Sequence, residues 1–195
     1  MERSDTELGR LADGTLMVLF ANGDPDAARV LTDRLLPRAY RHAARVLGNA
    51  AEAEDVAQEA LLRLWRAART WQADGAAKPS TWLHKVVANL AIDRLRRSGR
   101  SVELGEDDFA DPSPGAEARL QEAGRRDALD AALASLPERQ RQAVILRHIE
   151  GLSNPEIAEI LDVGVEAVES LTARGKRALK AALAGQKEAL GYGHG

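Results

Sequence analysis

"NPEIAEILDVGVEAVESLTARGKR", residues 154–177, is the stretch on which the reading of this chain turns. Ile157, Ala158 and Leu161 form one apolar stripe at helical spacing, Val165 and Val168 begin another, and Asp162-Val163-Gly164 is a short turn between them. The small Ala158 suits a close approach of the two helices, and Gly164 can cap the second. Ser153 followed by Glu156 reads as a capping box, with Pro155 in the first turn, where a missing N–H costs little. This is helix-turn-helix spacing. Two packed helices with no DNA role would show the same pattern, and Glu166 and Glu169 place negative charge where a polyanion would have to approach. The rest of the chain has to decide between the two.

The 195 residues are rich in alanine, leucine, arginine and glutamate, which lose little rotamer freedom in a helix, and poor in aromatic residues. The expectation is an all-α protein. There is no cysteine, which removes disulfides and thiolate metal sites, and no apolar run of about 18 residues that could insert in a membrane. The start is too polar and acidic for a secretory signal, so the chain reads as soluble and cytoplasmic. Net charge is −3, but its distribution matters more: residues 101–118 carry six acids and no Lys or Arg, between the basic stretches "DRLRRSGR" and "RGKRALK".

That acidic segment also holds Pro112, Pro114, Gly105 and Gly115 and has little apolar periodicity, so it reads as a flexible linker. It separates two small helical domains, residues 1–100 and 119–195. In the first, Pro25 opens and Gly48 closes a long helix, which Pro37 would kink or break. "AEAEDVAQEALLRLWRAART" follows without a breaker, and after a loop another long helix begins near Ser80. In the second, Ser135 followed by Glu138 reads as a further capping box, with Pro137 in the first turn.

Steps of 100° put Val56, Ala57, Ala60, Leu64 and Ala67 on one apolar face of "EDVAQEALLRLWRAAR". Opposite them stand Asp55, Glu59, Arg66 and Arg69, with Gln58 at the edge and the large apolar Leu62 in their midst. An apolar side chain framed by polar ones is the minimal docking patch, and a single exposed leucine is also commonplace. "STWLHKVVANLAIDRLRR" buries Leu83, Val86, Val87 and Leu90 and leaves Asn89, Asp93, Arg96 and Arg97 along another side, with Arg100 beyond. Amide, carboxylate and guanidinium groups in a row can read base edges and phosphates; a solvated charged face is the bland alternative. His42, His84, His148 and His194 are scattered, with no acid pair or nucleophile around them, so nothing points to an enzyme, a metal or a cofactor.

In this order, "AEDVAQEALLRLWR", "TWLHKVVANLAIDRLRR" and "LPERQRQAVILRHIEGLSNPEIAEIL" give the chain a resemblance to the extracytoplasmic-function sigma factors, small bacterial RNA polymerase subunits that keep only sigma domains 2 and 4. The resemblance covers roughly residues 14–184. It implies that Asp55, Gln58, Glu59 and Leu62 dock on core RNA polymerase, with Leu62 as anchor. It implies that Trp82, Asn89, Asp93, Arg94, Arg96 and Arg97 open and read the −10 promoter element, and that Arg100 adds a phosphate contact. It implies that the helix from Gly164 onward reads the −35 element through Glu169, Ser170, Arg174, Lys176 and Arg177, with Lys180 also on phosphate. The linker would thread the polymerase's RNA channel, and an anti-sigma factor would hold the free protein until a stress releases it.

Two positions depart from the family's pattern. Pro79 stands where relatives often have an aromatic residue, three places before Trp82, so one stacking platform is lost. Glu169 replaces a common Lys or Arg; it cannot hold a phosphate, but it can accept from cytosine N4. Glu166 reads as a first-turn residue favoured by the helix dipole. Two other readings use the same residues: a stand-alone helix-turn-helix regulator, and a sigma-like decoy that sequesters a regulator.

Overall fold

In the computed structural model, which describes residues 5–72, 78–98, 124 and 127–189, the chain is helical, with no strand among the described residues. The acidic linker at 101–118, together with Arg100 and His194, lies outside them. The helices are α1 (Asp5–Leu8), α2 (Asp13–Ala21), α3 (Pro25–Leu47), α4 (Ala50–Ala67), α5 (Pro79–Ser98), α6 (127–134), α7 (Glu138–Val144), α8 (Asn154–Leu161) and α9 (Val165–Ala189).

Local chemistry sets most of the boundaries. The Asp24 carboxylate accepts from the backbone N–H groups of Asp26 and Ala27, Pro25 occupies the first turn, and Gly48 ends α3 in the left-handed region at φ 64°. Asn49 caps α4 by accepting from the N–H of Glu52 at 2.9 Å. Ser153 and Glu156 form the expected capping box at the start of α8. Ser135 does not: α7 starts at Glu138 behind an N-cap Pro137 that makes no side-chain cap, and the Ser135 hydroxyl donates instead to the Ala132 carbonyl at 2.7 Å. Ser135 stands two residues too early to cap α7. Nor does Pro37 break α3, which runs unbroken from Pro25 to Leu47. The lost backbone bond is outweighed by a stripe on either side of it, Leu31, Leu35, Ala39 and Ala43, fully buried against the rest of the bundle.

Helices α2 to α5 pack around that stripe with Val56, Ala60, Leu64, Leu83 and Val87. The turn after α8 puts Asp162 at φ 52°, and α9 leaves it across α7. A Cβ at Gly175 of α9 would stand 2.6 Å from Val144 Cγ2 and 3.1 Å from the Gln140 carbonyl, so glycine is what permits the crossing.

The two helical blocks share their cores. Leu133, Leu136, Val144 and Ile145 of the second block pack into the main cluster of the first. Ala88 of α5, fully buried, packs in turn with Leu146, Ile157, Ala158, Ile160 and Val168. Arg141 fastens this seam. Its guanidinium, only 5% exposed, donates to the carbonyl of Val46 at 2.6 Å and to those of Ala134 at 2.9 Å and Leu136 at 3.3 Å. The Val46 and Ala134 carbonyls sit at the ends of α3 and α6, where helices leave acceptors unpaired and carry negative dipole charge, and that of Leu136 lies in the turn before α7. Polar links surround it: Arg45 Nη1 lies 3.9 Å from Glu150 Oε1, and Lys78 Nζ 3.1 Å from Glu156 Oε1.

Replacing Arg141 by Met would leave three buried carbonyls without their donor and should cost about 3 kcal/mol of stability. Arg141→Lys, a point donor that cannot span three acceptors, should recover only part of it. Denaturant unfolding followed by helical signal measures both; equal stability of Met variant and parent would show that the three bonds contribute nothing net.

Candidate core-polymerase and DNA interfaces

The candidate residues occupy three exposed surfaces. On α4, Asp55, Gln58 and Leu62 face solvent and Glu59 is half-buried; Leu62 is 50% exposed, the most exposed large apolar side chain among the described residues. Glu59 accepts from Arg63 Nε at 2.8 Å one turn on, and this bond holds its carboxyl below the usual range. Beside Leu62 opens a groove of about 560 Å³ lined by Phe20, Ala21, Trp65, Arg66, Ala68 and Arg69. Phe20 of α2 meets Trp65 of α4 with ring centroids 4.8 Å apart. The wheel of α4 located Leu62, but it could not find this groove, because Phe20 and Ala21 of its wall come from α2.

On α5, Trp82, Asn89, Asp93, Arg96 and Arg97 fall within about one quadrant or a little more of the helix circumference at 100° per residue. Asn89, Asp93, Arg96 and Arg97 are exposed and Trp82 is half-buried against the core. Arg94 does not join this stripe. It points toward α4, where its Nη1 lies 3.5 Å from Asp55 Oδ2, so one residue assigned to DNA and one assigned to polymerase hold each other across the two helices.

On α9, Val168 is fully buried, while Glu169, Ser170, Arg174, Lys176, Arg177 and Lys180 are all exposed. Arg174 Nε donates to the Ser170 carbonyl at 3.3 Å within the helix. Glu166 folds back toward the helix start: a Cβ at Gly164 would stand 3.3 Å from its Oε2. That is the position the helix dipole favours for a carboxylate. Glu169, one turn on and outward, lacks that excuse and faces whatever the helix meets.

Two buried features escaped the sequence reading. One is Arg141, an arginine that the pattern "PERQRQAV" places with surface residues. The other is a pair of histidines: His42 on α3, fully buried, and His84 on α5, 4% exposed, stand with Nδ1 atoms 3.1 Å apart. Each alone looks like an ordinary helix residue; only the crossing of α3 and α5 pairs them. Among the described residues no group of three or more acidic, histidine or cysteine side chains could hold a metal ion, and no helix is long and apolar enough to cross a membrane.

Comparison with known proteins places the chain in a family. The sigma-70 region 2 family matches residues 31–101 and the sigma-70 region 4 family matches residues 126–179. The chain is 38% identical over 181 residues to the ECF RNA polymerase sigma factor SigE of Mycolicibacterium smegmatis, a match covering 86% of this chain and 66% of that protein. It is 30% identical over 169 residues to the ECF RNA polymerase sigma factor SigW of Bacillus subtilis, covering 81% of this chain and 89% of that one. The fold is also that of CnrH, solved in complex with the cytosolic domain of CnrY, with a TM-score of 0.65 and 28% identity over 90% of this chain and 99% of CnrH. With both regions in order and relatives matched over most of their length, the chain belongs to the extracytoplasmic-function sigma factors of the sigma-70 family, whose members direct RNA polymerase to promoters.

Proposed function

We propose that this protein binds core RNA polymerase through the α4 surface, opens and reads the −10 element with α5, and reads the −35 element with α9. The observation that carries this reading is the division of the exposed side chains: an apolar anchor beside an aromatic groove on α4, and two polar, arginine-bearing faces on α5 and α9. Anchors of this kind supply affinity to protein partners, and amide and guanidinium rows supply contacts to bases and phosphates. Residues 1–100 would form sigma domain 2 and residues 119–195 sigma domain 4, with 101–118 as the linker between them.

Asp55, Gln58 and Glu59 would orient Leu62 on the polymerase, with Phe20 and Trp65 extending the apolar contact. Asn89 and Asp93 would read base edges of the opened strand, Trp82 would stack, and Arg96 and Arg97 would hold phosphate. Arg94 would keep Asp55 in place and reach DNA only by leaving it. In the major groove Glu169 and Ser170 would face bases while Arg174, Lys176 and Arg177 hold the backbone. The protein would act in the cytoplasm without catalysis or cofactor of its own, the chemistry being the polymerase's. CnrH is solved with CnrY, and RpoE of Bartonella quintana with the anti-sigma factor NepR; an anti-sigma partner controlling a stress regulon is the corresponding proposal for this chain.

Reconstitution with core polymerase and a promoter library, followed by start-site mapping, should give initiation at a restricted set of sequences; random initiation would refute the assignment. Leu62→Ala should weaken core binding roughly tenfold, about the loss of a buried leucine contact, while leaving promoter preference in the assembled complex unchanged. Equal losses in both would place Leu62 elsewhere than at the polymerase. Glu169→Arg should change preference at one or two −35 positions by about 1–3 kcal/mol. A uniform gain at every sequence would show that Glu169 only repels phosphate.

A further inference from the structure

The seam between the two helical blocks keeps the two DNA-reading helices together, since Ala88 of α5 and Val168 of α9 share one small core. The promoter elements they would read lie about 25 base pairs apart, on the order of 85 Å of duplex. Each helix is roughly 30–40 Å long at about 1.5 Å per residue, so this closed arrangement cannot reach both elements. The seam has to open for the protein to work, and what holds it shut decides when.

At the seam stands the histidine pair. His42 and His84 belong to the first block, and Glu150, from the second, lies over them with Oε2 3.8 Å from His84 Nε2. We propose that the His42–His84 pair is a proton-operated latch between the blocks: neutral, it lets Glu150 and α8 close over α5, and protonated, it favours the open chain.

The geometry supports the neutral form in the closed state. A 3.1 Å contact between two Nδ1 atoms needs a donor and an acceptor, which two neutral rings provide and two imidazolium rings cannot. His42 Nε2 is buried with no partner, so a cationic His42 would hold a buried N–H without an acceptor. The charges around the pair are mainly positive. From α3 come Arg38, Arg41 and Arg45; from the loop before α8 comes Glu150; from α8 comes Glu156, already engaged by Lys78 ahead of α5; from α6 comes Asp130, which faces Arg45. Glu150 and Asp130 therefore answer three arginines before any imidazole is charged.

Titration follows the same direction. Burial, then the His84 and Arg45 charges, holds His42 well below the ordinary 6.5, and burial with the Arg38 charge lowers His84 to about 4. Opening would uncover His84, the ring that Glu150 covers, and return it toward 6.5, so the open chain binds more protons than the closed one below that pH, and closure weakens as pH falls. Glu150 works the other way, since burial raises its carboxyl and its protonation favours closure, but it starts from the carboxylate range, below the range in which an uncovered imidazole titrates. Glu156 stays charged throughout: the backbone and hydroxyl of Ser153, then Lys78, lower it to about 2. Each imidazole released contributes up to about a tenfold change in the closed-to-open ratio per pH unit.

The absence of cysteine makes the test direct, because Asp33→Cys on α3 and Ala181→Cys on α9, both exposed, take a unique pair of distance labels in the full chain. Between about pH 7.5 and about 5.5 the population with a long label-to-label distance should rise at least about tenfold, with helical content unchanged. In a His42→Gln, His84→Gln background the distance should not respond to pH. A constant distance in the parent, an equal response in the double variant, or loss of helical content together with opening would each overturn the latch. Should the double variant fail to fold, the imidazole proton resonances of the parent decide: His42 and His84 titrating near 6.5 while the labels remain close would also overturn it. The meaning of opening for promoters rests on the proposed function, but the distance measurement uses no DNA or polymerase, so either idea can fail without the other.

Discussion

The buried guanidinium of Arg141 is the contact on which the arrangement of this protein depends. Three backbone carbonyls converge on it, those of Val46 and Ala134 from the ends of two helices and that of Leu136 from the turn before α7. Those acceptors have no partners within their own helices, and removing them from water unpaired would be costly. A single planar cation satisfies all three, which a lysine could not. Because Val46 belongs to α3 and Arg141 to α7, the same bonds join the block bearing the α4 groove to the block bearing the helix-turn-helix. The apolar residues Leu133, Leu136, Val144 and Ile145 can then enter the core of α3 to α5 rather than face solvent.

A ring of weaker polar contacts surrounds that anchor, and several of its members serve twice. Glu156 closes the capping box of α8 and also takes Lys78 from the other block. Glu150 ends the π-turn at Ile145–Ile149 and lies among Arg45 and the histidine pair. Arg94 and Asp55 link α5 to α4 outside the seam. Each of these pairs is partly exposed or longer than a strong ion pair, so each contributes little alone. The result is a seam whose affinity can be changed by modest shifts in charge.

Much of this was legible in the chain. The helix-turn-helix was readable because its signals are local: Ser153 and Glu156 cap through neighbouring backbone, Gly164 starts α9, and Val168 returns on the buried face. Leu62 was readable because a helix repeats every 3.6 residues and exposes one face whole. The reading failed where a distant neighbour decided the outcome. Ser135 had the capping-box spacing, but α7 begins too late for it. Pro37 had the chemistry of a helix breaker, but the packed stripe from Leu31 to Ala43 carried α3 through.

By itself, then, the sequence determined the helical class, the extent of the long helices, the second helix of the helix-turn-helix with its outward Glu169, and the family to which the motifs belong. Each of these depends on propensity, capping or a period along one helix, which are properties of contiguous residues. Tertiary structure alone decided that the two blocks close on one another, that Phe20 and Trp65 build a groove beside Leu62, that Arg141 is buried, and that His42 and His84 become a pair. These depend on contacts between residues about a hundred positions apart, as between Val46 and Arg141 or Arg45 and Glu150, and no local spacing encodes where two helices will cross.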